Sequence, residues 1–426
     1  MDRRLLDKYL GKSTTAQIEP FVPHQKINVA VVIPVLAELE YLPETLQSLA
    51  ANPEMDWGNT IIVLVINSSS VTSAEKVAEN LIILEKLRDQ DTSFTGGLVP
   101  GKHLFWIDAN AAGKQISEKG GVGEARKLGM DNCLPFFDWD KKTLQLLFCL
   151  DADTVVSNNY LSAGKTFFKE NQTYSVATFE FAHREGHNTR LHQAIIRYEL
   201  FMRYYMLGLK LAGSPYAFNA LGSAIATTAE CYIRADGMRK RNGGEDFYFM
   251  QAASKYGQSG VIKSAQVSPS ARPSDRVPFG TGPKVAEIAA GNELLLYNPN
   301  IFLVLKKIYA TIESFGSSKD FETLPLRLSE ADPVIDVFMN ELKLFHAWQR
   351  IYKNTRKEIT YLKRAFNTWF DAFRTLKFVH MCENDYPEFS RVEPVDAFSF
   401  LNRIGISITE SVREDDELLL NWLRKN

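Results

Sequence analysis

The sequence predicts an α/β protein: a mostly parallel sheet with helices on both faces, followed by an all-α region. Three observations carry this. Short β-branched apolar runs alternate with stretches of helical spacing up to about residue 284 of the 426. One run, Leu144-Gln-Leu-Leu-Phe-Cys-Leu150, ends in Asp151-Ala-Asp153, two acids placed where a buried strand leaves the core. From Val285 onward strand signals fade, and apolar residues recur at three-and-four spacing.

Residues 1–26 are polar and read as an arm with room for one short helix. Ile27-Asn-Val-Ala-Val-Val-Ile-Pro34 is a β-branched run closed by a proline, which has no N–H for a ladder. Leu42, Leu46 and Leu49 make 41–50 a helix, with Pro43 tolerated in its first turn. Residues 61–66 form a second strand that breaks at Asn67-Ser-Ser-Ser, and Thr72 with Glu75 offers a capping box for a helix through Arg88. Residues 104–108 are a third strand, and Gly120-Gly-Val-Gly123 opens a helix to Asn132. The 144–150 strand is fourth. Helix 158–169, strand 174–179, a long helix 191–211, strand 222–227 and helix 229–238 follow. A helix opening at Gly243-Gly-Glu245-Asp246 ends at Gly257, and 259–264 closes the unit as a last strand. Prolines 269, 273, 278 and 283 with Gly280 and Gly282 exclude regular structure from 266–284. Beyond it, 334–352 and 358–379 read as long helices. The expected division is an arm 1–26, a sheet domain 27–284 and a helical domain 285–426, through which an oligomer could form.

Hydrophobic residues at 45% and charged ones at 23% are those of an ordinary globular chain. The formal charge of −2 gives no electrostatic case for nucleic acid. Cys133, Cys149, Cys231 and Cys382 are scattered without paired spacing, which speaks against a zinc ribbon or a disulfide scaffold and suits a reducing compartment. The charged start lacks the apolar core of a signal peptide, and no window of 18 apolar residues exists. The expectation is a cytoplasmic protein without a membrane span, with peripheral association at the inner face left open.

Asp-x-Asp leaving a strand supplies hard oxygen ligands, and a divalent cation such as Mn²⁺ or Mg²⁺ held by few protein groups completes its shell with substrate phosphates. That suggests a metal–diphosphate site; the alternative is a turn in which both aspartates bond their own backbone. Arg126 falls in the first turns of a glycine-introduced helix, where it could meet phosphate or base, or be a solvated helix arginine beside Lys127. Gly121-Val-Gly123 lacks the third glycine of a dinucleotide loop. Glu245 and Asp246 sit at a helix start, which favours carboxylates in any protein. Arg272 and Arg276, among prolines and glycines, suit a loop that closes over a phosphate, or equally a linker. His183, His187 and His192 cluster without metal-ligand spacing.

Four stretches, in order and spacing, resemble family 2 glycosyltransferases of the GT-A fold: Pro34-Val35-Leu-Ala-Glu38 closing the first strand, Gly121-Val-Gly-Glu-Ala-Arg126-Lys-Leu-Gly129, Leu150-Asp151-Ala-Asp153-Thr, and Gly244-Glu245-Asp246-Phe. The resemblance implies transfer of a sugar from a nucleotide-diphosphate sugar to an acceptor hydroxyl with inversion. It implies Asp246 as general base with Glu245 beside it, Asp153 as metal ligand, and Asp151 on the ribose or a metal-bound water. Pro34, Val35, Glu38, Asn67, Arg126, Arg272 and Arg276 would line the donor. A retaining transferase of the same fold, or a catalytically silent scaffold, is the alternative. The chain departs from the family at Ala37, where asparagine is usual, and at Ile66-Asn67-Ser-Ser, where paired acids read the base. That leaves the nucleotide open, with UDP the default and GDP or another nucleotide possible. No histidine occurs between Asp246 and His346 to serve as a further metal ligand. The acceptor, whether saccharide, lipid-linked sugar or small metabolite, is not legible.

Overall fold

A computed structural model describes residues 3–20, 26–140, 143–274 and 280–426. The chain divides into two compact units, one of 1–195 with 220–289 and the other of 196–219 with 290–426.

The first unit is built on one eight-stranded mixed sheet, so the α/β class followed by helices is what the structure has. Its strands are β1 (Val29–Val35), β2 (Thr60–Asn67), β3 (Leu104–Ala109), β4 (Leu146–Cys149), β5 (Thr154–Val156), β6 (Tyr174–Phe181), β7 (Ile225–Thr228) and β8 (Gln258–Pro269). They lie in the order β3-β2-β1-β4-β7-β6-β8-β5. β1 pairs in parallel with both β2 and β4, and β2 with β3. β7 is antiparallel to its two neighbours, and β5 to β8. Every residue of β2 is buried and β1 nearly so, as parallel strands covered on both faces require. Pro34 lies beyond the last β1–β4 pair, Val32 with Cys149, so its missing N–H leaves that ladder intact.

Because β2 and β3 lie to one side of β1 and β4 to the other, the strand order reverses at β1–β4. In open α/β sheets the crevice beyond the strands' carboxyl ends at such a point is where ligands bind. The arm supports the opposite edge. Its helix Arg3–Leu10 buries Leu6 and Tyr9, and Glu19 bridges Trp106 along the free side of β3, which covers an edge that would otherwise offer unpaired backbone groups.

Several expectations change. The strand placed at 222–227 begins only at Ile225, because 222–224 form a 3₁₀ turn. The segment 266–284 is not wholly irregular: β8 runs on to Pro269, which takes the last position of its strand opposite Thr154, and Thr281–Ala289 is a helix with Pro283 in its first turn. A proline is tolerated at a strand's end and a helix's start. A short strand, β5, follows Asp153 directly and had no apolar run long enough to announce it.

In the second unit the expected long helices are each broken. Pro333–Glu341 and Leu344–Asn354 part at Lys343, which is left-handed with φ 53°. Ile359–Trp369 and Ala372–Asp385 part at Asp371, whose carboxylate accepts from the Arg374 N–H and caps a new helix. The core includes Tyr204, Phe302, Trp348, Phe366 and Phe378. Buried Glu199 accepts from Arg203 and from Arg424, which fastens the last helix, Asp416–Lys425. Among the described residues no helix is long and apolar enough to cross a membrane.

Candidate active site

Asp151-Ala-Asp153 is a tight turn from β4 to β5, with the Thr154 N–H donating to the Asp151 carbonyl. The turn is pinned from below by the Thr45 hydroxyl, which donates to the Ala152 carbonyl at 2.9 Å. The two carboxylates leave it in different directions. Each meets an arginine from another element.

Asp151 is bonded by Arg126 of the helix Gly121–Cys133, and the same guanidinium bonds Glu245 at the start of the helix Glu245–Ala253. Arg126 is 3% exposed, so it is no solvated helix arginine. Its guanidinium lies flat against Gly222, where a Cβ would come within 2.4 Å of Nη2. Burial works against its charge, but the carboxylates around it outweigh that and hold it more firmly protonated than usual. The glycines before this helix do not cradle phosphate. Gly123 donates its N–H to the Arg241 carbonyl at 3.1 Å, and a Cβ there would sit 2.2 Å from the Arg239 carbonyl. They let the 239–242 loop pack onto the helix start, which delivers Glu245 and Asp246 to the site.

Asp246 is the neighbour of that pair. Its carboxyl accepts from the backbone N–H groups of Phe247 and Gly222. Burial is the largest influence and raises its pKa above the ordinary 3.8; Arg126 pulls the other way. A carboxyl whose pKa is raised and which lies next to a fixed cation has the character of a proton acceptor.

Asp153 meets Arg272, which follows β8. Arg272 Nε donates to Asp153 Oδ2 at 2.9 Å, and Nη2 reaches both Glu38 oxygens at 2.6 Å. The guanidinium is stacked 4.0 Å over the ring of Tyr41, a contact the sequence did not announce. Glu38 is 4% exposed and comes from the loop leaving β1. Pro34 and Val35 end that strand, directly before this loop. Asn67 is 5% exposed, and its amide donates to the carbonyls of Val35 and Val65 at 2.9 and 3.0 Å. Arg276 lies outside the described residues. The structure thus brings Glu38, Asp151, Asp153, Glu245, Asp246, Arg126 and Arg272 to the carboxyl ends of β1 and β4.

The chemistry of these oxygens suits a divalent cation, but their arrangement does not fit one. Each carboxylate of the Asp-x-Asp turn already holds a guanidinium. Among the described residues no group of three or more histidine, cysteine or acidic side chains converges on one point. A cation would have to displace Arg272 from between Glu38 and Asp153.

The chain matches no family model and no curated protein. Among solved structures it is similar to TarS 1–349 of S. aureus in complex with UDP-GlcNAc, at 13% identity over 80% of this chain and 91% of that one, with a TM-score of 0.39. It is also similar to the mannosyltransferase PcManGT of Pyrobaculum calidifontis in complex with GDP-Man and Mn²⁺, at 13% identity over 86% and 92%, with a TM-score of 0.34. Likenesses of this size leave the functional case to the chain's own residues.

Proposed function

We propose that this protein is a glycosyltransferase of GT-A type that takes a nucleotide-diphosphate sugar as donor and an acceptor hydroxyl as nucleophile. One observation carries the reading: a half-buried carboxyl with a raised pKa, Asp246, lies beside the Arg126–Asp151 pair at the point where the strand order reverses. The order of the four sequence stretches supports it.

In this reading Asp246 takes the proton of the acceptor hydroxyl as its oxygen bonds the anomeric carbon. The bond from that carbon to the phosphate oxygen breaks, and the nucleoside diphosphate leaves with the electron pair, so the sugar inverts. Glu245 and Asp151 hold Arg126 next to the base, where it limits how far burial can raise the carboxyl's pKa. Arg272 offers positive charge to the departing diphosphate, with Nε anchored on Asp153 and Nη2 on Glu38. Mn²⁺ or Mg²⁺, expected from the Asp-x-Asp turn, would have to take Asp153 and Asp151 from their arginines. The cations that the chain itself supplies there are Arg126 and Arg272. Asn67 acts from behind the site in this reading, as a brace for the β1 loop.

Calorimetric titration with UDP and with GDP, in chelator and then in Mn²⁺, tests the donor class. NMR of the product anomer formed from the corresponding nucleotide sugar tests inversion. Binding of neither nucleotide under either condition would end the reading.

A further inference from the structure

We propose that two adjacent side chains on the helix Ala74–Arg88, Glu79 and Asn80, form a clamp that positions the donor loop, so that Asn80 is a positioning residue of the site. The inference rests on the glycosyltransferase reading above.

Asn80 is an unfavourable residue for its place. Asparagine is a poor former of helix interiors, and this one is 0% exposed, so its amide must be fully partnered to avoid a desolvation penalty. It is. Oδ1 accepts the Ala37 N–H at 2.9 Å, while Nδ2 donates to the Asn67 carbonyl at 2.9 Å and to Asn110 Oδ1 at 3.1 Å. Ala37, Asn67 and Asn110 lie at the carboxyl ends of β1, β2 and β3. One amide therefore ties together the three strand ends on one side of the switch point. The partners are braced in turn: Asn67 Nδ2 donates to the Val35 carbonyl, and Asn110 Nδ2 to the Val77 carbonyl at 3.3 Å.

The clamp acts where the backbone would not stay by itself. Ala37 has φ 53°, a left-handed conformation that is strained for an L-residue. It is held on one side by Asn80 and on the other by Glu79 Oε1, which accepts the Leu39 N–H at 2.8 Å. Between these two bonds lies Glu38, whose carboxylate anchors Arg272. The placement of Arg272 thus depends on a pair of side chains that face the loop from another element and do not reach the reacting groups.

The test compares Asn80→Ala and Glu79→Ala with the wild type in calorimetric UDP and GDP binding, donor KM, kcat and thermal midpoint. Leu87→Ala, a fully buried residue of the same helix, is the control for stability loss alone. The clamp predicts that both variants weaken nucleotide binding about tenfold and raise donor KM more than they lower kcat. Leu87→Ala should keep wild-type binding at a comparable thermal loss. Adding Ala37→Gly to Asn80→Ala should restore most of the binding, because glycine needs no clamp to adopt that φ. If Asn80→Ala does not fold, the part-exposed Glu79→Ala carries the comparison. Wild-type binding in the Glu79 and Asn80 variants, or no rescue by Ala37→Gly, overturns the clamp. A wild-type protein that binds neither nucleotide overturns the transferase reading instead.

Discussion

Replacing Arg272 by glutamine should tighten the binding of a divalent cation. The guanidinium bonds Asp153 at 2.9 Å and Glu38 at 2.6 Å, and Asp153 is the carboxylate expected to ligate Mn²⁺. Its side chain is 16% exposed, so this is not a surface pair of the kind that contributes almost nothing. A hydrogen bond to a charged partner contributes about 1.5–3 kcal/mol, and about 1.4 kcal/mol is tenfold in an equilibrium constant. Releasing one such contact therefore weakens cation binding by roughly ten- to a hundredfold. Glutamine keeps a polar, though shorter, side chain and leaves both acids without their cation. Carboxylates already outnumber arginines in the site, and the variant sharpens that excess. Titration of free Mn²⁺ by electron paramagnetic resonance should show the variant binding more tightly by that factor. Equal or weaker binding by Arg272→Gln would refute the view that the guanidinium occupies the cation's place.

Asp246→Asn should lower turnover by about 10²–10⁴ while leaving nucleotide binding intact, read by steady-state rates beside calorimetry. The same variant has a stability signature. Burial raises the folded-state pKa of Asp246 above 3.8, so the folded protein holds this proton more tightly than the unfolded chain. That contribution is present at low pH and is lost as pH rises from 3.8 through the raised value. The thermal midpoint of Asp246→Asn should therefore gain on the wild type as pH rises through that window, and a constant difference would contradict it. Gly222→Ala puts a Cβ 2.4 Å from Arg126 Nη2 and should cost about 1–3 kcal/mol by denaturant midpoint, with loss of turnover as Arg126 shifts. Ala37→Gly alone should stabilise the protein by about 1 kcal/mol and leave nucleotide affinity unchanged, checked by chemical unfolding and titration.

Much of the sheet was legible because its inner strands are covered on both faces. Runs such as 29–33 and 61–66 are buried throughout, and apolar, largely β-branched sequence is what such strands take. The breaks in the C-terminal helices were less legible. A lysine forced into a left-handed turn and an aspartate that caps look locally like ordinary helix residues until the packing around them is known. β5 escaped notice because three residues carry no periodicity, and its pairing with β8 is made by chain more than a hundred residues away.

The acids and arginines of the site divide the same way. Asp151, Asp153, Glu245, Asp246, Arg126 and Arg272 were all visible as candidates, since charged residues at strand ends and helix starts are cheap to find. What each one touches was not. Pairing across the fold decided that Arg126 holds Asp151 and Glu245 instead of standing toward solvent, that Arg272 stands between Glu38 and Asp153, and that Asn67 serves the backbone. Asn80 was invisible altogether, an asparagine inside an apparently ordinary helix. By itself the sequence determined the class of fold, the strand ends where charged residues gather and the kinds of group found there, because local pattern and burial are written along the chain. Only the tertiary structure decided partners, charge balance and the clamp behind the β1 loop. Those depend on side chains distant in sequence meeting within hydrogen-bond reach, and no spacing along the chain encodes that distance.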